Sequence, residues 1–336
     1  MAFLSELPDI RFQKPLFCSI LGNTLLSTVP GISGAGPSPE KTLLTPILDA
    51  ELIIKGTITS QTIKPNTPTG CPTPATITRA MMDLTGIQPL FINAGLHNKP
   101  TVPCLDCYGE TGEDPRYRDA VFRAQHLFDQ GILIGRFLSS CSDLLVLGEC
   151  VPGGTTTALC ILRALGYEAS VSSSFANNPV LKKEEVCRLA LERIRDGKVS
   201  EPLDIIRVTG DPMMPVACGI AESYAGTLVL AGGTQMLAVS ALIKSLGGEL
   251  PLVVTTVYVR DDPSANVRHL AEQIGTQIIY VDPDFGKLDH TGLARYCIGE
   301  VKEGMGAGGA MFLANLQGYS PETIRAWILA SVRAFS

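Results

Sequence analysis

The sequence predicts an α/β fold: a doubly wound, mainly parallel, Rossmann-like sheet with a small accessory region made from the chain ends. Three observations carry this. Short apolar runs recur at residues 51–55, 89–93, 143–147, 204–208, 227–231, 252–257 and 277–281. Most lack polar alternation, as strands do when both faces of a sheet are covered. Helix-length segments such as 184–195 and 265–274 stand between them, and strand–helix–strand alternation argues for parallel pairing.

In chain order, the first forty residues are irregular and carry Gly31-Ile-Ser-Gly-Ala-Gly-Pro-Ser-Pro39. A proline-rich stretch, 65–74, follows the first apolar run, and Thr73 and Pro74 can start a helix reaching Asp83. Such rigid loops line sites or simply turn the chain. Near the C-terminus, Ser320 and Pro321 read as an N-cap and first helical residue, followed by Ile324, Trp327, Ile328 and Val332 at helical spacing. The expected organisation is one α/β domain over 41–316. Residues 1–40 and 317–336 would form a small accessory or dimerisation region outside the main sheet.

Composition narrows the function classes. With 45% hydrophobic and 18% charged residues in 336, a sizeable core forms. A net charge of -6 favours neither nucleic acid nor an anionic membrane surface. The N-terminus carries early acidic residues and no apolar run of signal-peptide length, and no transmembrane stretch stands out, so a cytoplasmic protein is expected. Of ten cysteines, only Cys104 and Cys107 have a CxxC spacing, with His97 nearby. A structural zinc site needs a second ligand pair, so neither a metal nor another cofactor is expected.

The sharpest local pattern is 144–158, an apolar run leading through Glu149, Gly153 and Gly154 into Thr155, Thr156 and Thr157. A strand running into glycines and a helix start offers free backbone N–H groups and a partial positive charge to a phosphate. A threonine-capped turn is the plainer alternative. Glu149 closes the strand, where open α/β sheets hold ligands. It can hold ribose hydroxyls, stabilise a developing cation, or be a surface residue. The same theme recurs at Gly232, Gly233 and Thr234, and at Val208-Thr-Gly-Asp-Pro212. Lys182 and Lys183 stand at a helix start, where the dipole favours acids. They are either solvated or held there by an anion. Finally, Glu303 precedes Gly304 and Gly306. In an apolar pocket it would become a general base; otherwise the glycines pack a helix on the sheet with Glu303 in solvent.

Together these segments resemble the nicotinate-nucleotide–dimethylbenzimidazole phosphoribosyltransferases of cobamide synthesis. The family's Gly-Glu-Met-Gly-Ile-Gly-Asn-Thr-Thr-Ala-Ala is matched by 148–158, and its Gly-Glu-Gly-Ser-Gly-Ala by 302–307. Its lysine helix is matched at Lys183 with Ala190-Leu191, and its Val-Leu-Asp-Gly at Val229-Leu-Ala-Gly232. The likeness spans about residues 140–316. Departures are Cys150-Val-Pro for Met-Gly-Ile, Gly154 for Asn, Met305 for Ser and Ala231 for Asp. The 30–36 segment is similar to that of a divergent archaeal and cyanobacterial branch.

The resemblance implies transfer of 5-phosphoribosyl from nicotinate mononucleotide to an aromatic base such as 5,6-dimethylbenzimidazole. It implies Glu303 as base and Glu149 at the ribose. Gly153, Gly154, Thr155, Thr156 and Lys183 would hold the phosphate, in a homodimer that binds no nucleic acid. Alternatives are another phosphoribosyl or nucleotide transferase, or a non-catalytic nucleotide-monophosphate sensor.

Overall fold

A computed structural model describes residues 2–36 and 38–334; Met1, Pro37, Phe335 and Ser336, which fall in the segments 1–40 and 317–336, lie outside the described residues. The chain opens with β1 (Pro15–Gly22), α1 (Thr45–Lys55), α2 (Pro74–Thr85), β2 (Leu90–Gly95), β3 (Leu105–Asp106) and α3 (Ala124–Ser139). The middle carries β4 (Leu144–Cys150), α4 (Gly154–Ala164), α5 (Val180–Asp196), α6 (Pro202–Thr209), α7 (Met213–Ser223), β5 (Thr227–Ala231) and α8 (Thr234–Ser245). It closes with β6 (Leu252–Thr256), α9 (Val257–Arg260), α10 (Val267–Ile274), β7 (Ile278–Val281), α11 (Thr291–Ala294), α12 (Ala307–Leu316) and α13 (Pro321–Arg333).

The strands form one seven-stranded sheet in the order β3-β2-β1-β4-β5-β6-β7. Every pair is parallel. Helices cover both faces, so the fold is the doubly wound α/β class. Side chains alternate accordingly. Cys18, Ile20, Leu145, Leu147 and Leu230 pack with α3–α8. Phe17, Leu21, Val146, Val229 and Ala231 pack with α1, α2, α12 and α13. Strand order reverses between β1 and β4, where doubly wound sheets bind ligands at the carboxyl edge.

Three expectations need correction. Residues 51–55 are helical: Pro46 starts α1, and Gly56, with φ of 73°, stops it. Their apolar side chains lie against α2, and a short buried helix carries the same unbroken pattern as a strand. Residues 204–208 belong to α6, started by Pro202 with Asp204 in its first turn. Of the expected glycine-bearing strand ends, those after β4 and β5 therefore stand, and the one at 208–212 joins two helices. The N-terminal region is not wholly outside the sheet, because β1 is an interior strand of it, paired with both β2 and β4. Pro15 begins that strand, where a missing N–H is tolerated.

Other parts of the chain ends cover the main domain. Leu4 bridges β7 antiparallel, and Ser5 N–H donates to Tyr280 O at 2.9 Å. Ser320 caps α13, which buries Ile324, Ile328 and Val332 while Trp327 stays 44% exposed.

Candidate functional site

The site gathers at the carboxyl ends of β4, β5 and β6, where the helices α4, α8 and α12 begin. Glu149 stands opposite Ile20 of β1 and is only 6% exposed. Its Oε2 accepts hydrogen bonds from Val151 N–H at 3.1 Å and Gln235 Nε2 at 2.7 Å. Burial, reinforced by the Asp211 carboxylate, pushes its carboxyl up to about 8. Asp211 is fully buried; it accepts from Thr157 Oγ1 at 2.7 Å and Met213 N–H at 3.1 Å, and burial lifts it to about 6. Two buried acids whose charges repel favour holding a proton between them.

The turn into α4 suits its own residues. Gly153 takes the left-handed position with φ of 82°. Gly154 lies so close to Gln235 that a Cβ there would stand 2.2 Å from its amide nitrogen. Thr155 and Thr156 follow in the first helical turn, and the hydroxyl of Thr156 is buried without a partner. Thr155 Oγ1 instead accepts from Lys183 Nζ at 2.9 Å. Lys183, 1% exposed, donates a second bond to Ser172 O at 2.6 Å. Burial, with Lys302 nearby, draws its ammonium down from 10.5 to about 7. Lys182, by contrast, is exposed and donates to Pro30 O at 2.7 Å.

Gly232, Gly233 and Thr234 turn β5 into α8. A Cβ at Gly232 would stand 3.6 Å from Glu149 Oε1, and the Thr234 hydroxyl is buried and unpartnered. Glu303 lies in the loop before α12. Its Oε1 accepts from Gly304 N–H at 3.1 Å and Gly308 N–H at 3.2 Å. Its Oε2 is buried with no partner. Burial raises this carboxyl to about 7 against the pull of those backbone bonds. Met305 N–H donates to Glu149 O at 3.0 Å, fixing the Glu303 loop to the end of β4. Gly306, with φ of 67°, lies against Gly148 of the same strand. The loop, the β4 end and the α4 turn thus meet, and burial has moved three acids, Glu149, Asp211 and Glu303, and the lysine Lys183 toward neutrality.

Three further residues complete this corner. Lys302, 3% exposed, donates to Ser173 O at 2.6 Å and Phe175 O at 3.0 Å, and lies 3.2 Å from Asp262 Oδ2. Asp211 and Asp262 are partnered by residues far along the chain. Among the described residues no cluster of three or more His, Cys, Asp or Glu is arranged to hold a metal. Cys104 and Cys107 are free thiols there. An open surface depression of about 550 Å³ lies elsewhere, along residues 58–64. No described helix is long and apolar enough to cross a membrane.

No family model matches the chain. It is 43% identical to a UPF0284 protein of Methanosarcina acetivorans over 335 residues, covering 97% of this chain and 96% of the relative. It is 44% identical to a UPF0284 protein of Thermococcus gammatolerans over 318 residues, covering 93% and 96%. Among solved structures, it resembles the nicotinate-nucleotide–dimethylbenzimidazole phosphoribosyltransferase of Thermus thermophilus. That match has a TM-score of 0.61 at 14% identity, over 96% of this chain and 83% of the other. A second structure, titled CobT from the same organism, gives 0.58 at 15%, over 96% and 84%. The shared feature at that identity is the fold.

Proposed function

The chain belongs to the UPF0284 family, and from that premise and the site's geometry we propose that it is a phosphoribosyltransferase. It moves 5-phosphoribosyl from nicotinate mononucleotide to an aromatic base, 5,6-dimethylbenzimidazole or a similar azole, in assembly of the cobamide nucleotide loop. The products are an α-riboside phosphate and nicotinate. The observation that carries this reading is Glu303, with one oxygen fixed by two backbone N–H groups and the other buried and free.

A neutral azole attacking through one ring nitrogen gains positive charge unless the N–H on the other nitrogen is lost. A carboxylate with its basicity raised by burial can take that proton near neutral pH. The C1–N bond to the pyridinium breaks as the new bond forms from the opposite face, and nicotinate leaves with the electron pair. Glu149, which keeps its proton up to about pH 8, faces the ribose and hydrogen-bonds its hydroxyls. The 5′-phosphate lies at the α4 N-terminus, in the turn of Gly153 and Gly154, held by Thr155, Thr156 and Lys183. Gly232, Gly233, Thr234 and Gly304 line the substrate, and Gly306 lets their neighbouring loop lie against β4. The active form on this reading is a homodimer with the half-exposed α13 face at the interface.

The test is release of nicotinate from nicotinate mononucleotide against a panel of benzimidazoles, purines and phenols. Acceptor-dependent release supports the transferase. Tight binding of the mononucleotide without release under any acceptor would make the protein a nucleotide sensor.

A further inference from the structure

The loop carrying Glu303 is held in a conformation its own residues disfavour. Val301 and Lys302 have φ of 66° and 65°, and Met305 of 49°. Left-handed backbone is unfavourable for residues with a Cβ, and such strain persists only where the surroundings over-determine it. Here they do. Val301 N–H donates to Ser174 O at 3.0 Å, and Thr256 Oγ1 donates to Lys302 O at 2.8 Å. The Lys302 ammonium places its three donors on Ser173 O, Phe175 O and Asp262.

The same strap, 172–175, is gripped from its other end. Ser172 O accepts from Lys183, and Ser172 Oγ donates to Asp262 Oδ2 at 2.7 Å. Lys183 uses only two of its donors, on Thr155 and Ser172. Two buried ammonium groups therefore share the field of one carboxylate, and the one facing α4 has a donor to spare.

We propose that Lys302 and Asp262 form a latch that transmits occupancy of the phosphate site to the loop bearing Glu303, so that donor binding sets the base in place. This rests on the phosphoribosyl reading only in placing the phosphate beside Lys183. An anion there meets the free donor of Lys183 and neutralises its charge. Asp262 is then left to Lys302, and the strained loop stiffens around Glu303. Lys302 is a positioning residue, and the donor binds before the acceptor.

Hydrogen exchange at Gly304 and Gly308, the amides that hold Glu303, reads the latch without any turnover. Saturating ribose 5-phosphate should slow exchange there about tenfold in the native protein and less than about twofold in Lys302→Met. Asp262→Asn should behave like Lys302→Met, while keeping the Oδ1 that accepts Ser264 N–H at 3.0 Å. Calorimetry on the same samples separates the two ideas. Binding without slowing, or slowing that survives in both variants, overturns the latch and leaves the phosphate site standing. No binding of ribose 5-phosphate to the native protein overturns the site and the latch together.

Discussion

The loop after β4 and the loop before α12 both swing the chain onto a helix at one edge of the sheet, yet they reach that geometry differently. After β4, the left-handed position falls on a glycine, Gly153, with φ of 82°. Before α12, comparable positions fall on Val301, Lys302 and Met305 as well as on Gly304 and Gly306. The first turn is intrinsic to its own residues. The second is imposed by partners from strands and loops far along the chain, and imposed geometry of that kind is characteristic of working sites.

The largest expected effect lies in the imposed loop. Glu303→Gln keeps shape and hydrogen bonding but cannot accept a proton, so turnover should fall about a hundred- to ten-thousand-fold. Binding of nicotinate mononucleotide, measured by calorimetry, should hold. The acidic limb of the native rate profile, centred near 7 from the raised carboxyl, should disappear. Near-normal turnover would pass the role of base to Glu149.

The intrinsic loop should respond in binding. Lys183→Ala should weaken nicotinate mononucleotide by about 1.5–3 kcal/mol and its dephosphorylated nucleoside far less. Equal losses would remove the phosphate contact, and an effect confined to Lys182→Ala would move it by one residue. Gly154→Ala puts a Cβ 2.2 Å from the Gln235 amide, which must then leave Glu149. Mononucleotide affinity should drop about tenfold, or about 1.4 kcal/mol. Unchanged affinity in a folded variant would mean that this turn holds no ligand.

Glu149 gives the two loops a common electrostatic readout. Its carboxyl titrates at about 8 in the fold against an ordinary 4.5. Between those values the folded state holds the extra proton. Its contribution to stability is therefore fully present below about 4.5 and is lost as pH rises through 8. Urea midpoints across this range should decline more steeply for the native protein than for Glu149→Gln; parallel curves would show that the proton is not held there.

The smallest effect compares the loops directly. Gly153→Ala should cost about 1–2 kcal/mol of stability, because only glycine takes that φ freely. Val301→Gly removes a similar strain, and the added freedom of the unfolded chain offsets part of the gain, so its stability in urea should stay within about 1 kcal/mol of native. A large loss from Val301→Gly would mean that its side chain, rather than its partners, sets the turn.

This contrast also explains what was legible beforehand. β4 to β7 are unbroken apolar runs in a buried parallel sheet, and they read directly. Residues 51–55 and 204–208 carry equally apolar runs, and only Pro46 and Pro202 mark them as helices. β1 escaped because Pro15 and Ser19 interrupt its pattern, while its burial comes from β2 and β4 on either side. In the site, Glu149, Gly153, Lys183 and Glu303 stand in local patterns. The Lys302–Asp262 pair joins residues 40 apart, and the Thr157–Asp211 bond residues 54 apart. No local spacing encodes either pairing.

The two margins of the sheet bear on how the protein behaves in a crowded solution. β3 ends one side with two residues, one of them Asp106, and residues 3–5 already lie along β7 on the other. Exposed strand edges are templates for extension by another chain, and short, charged or occupied ones are not. A wide parallel sheet so finished offers little for strand-by-strand aggregation, and contacts between copies are left to helical surfaces.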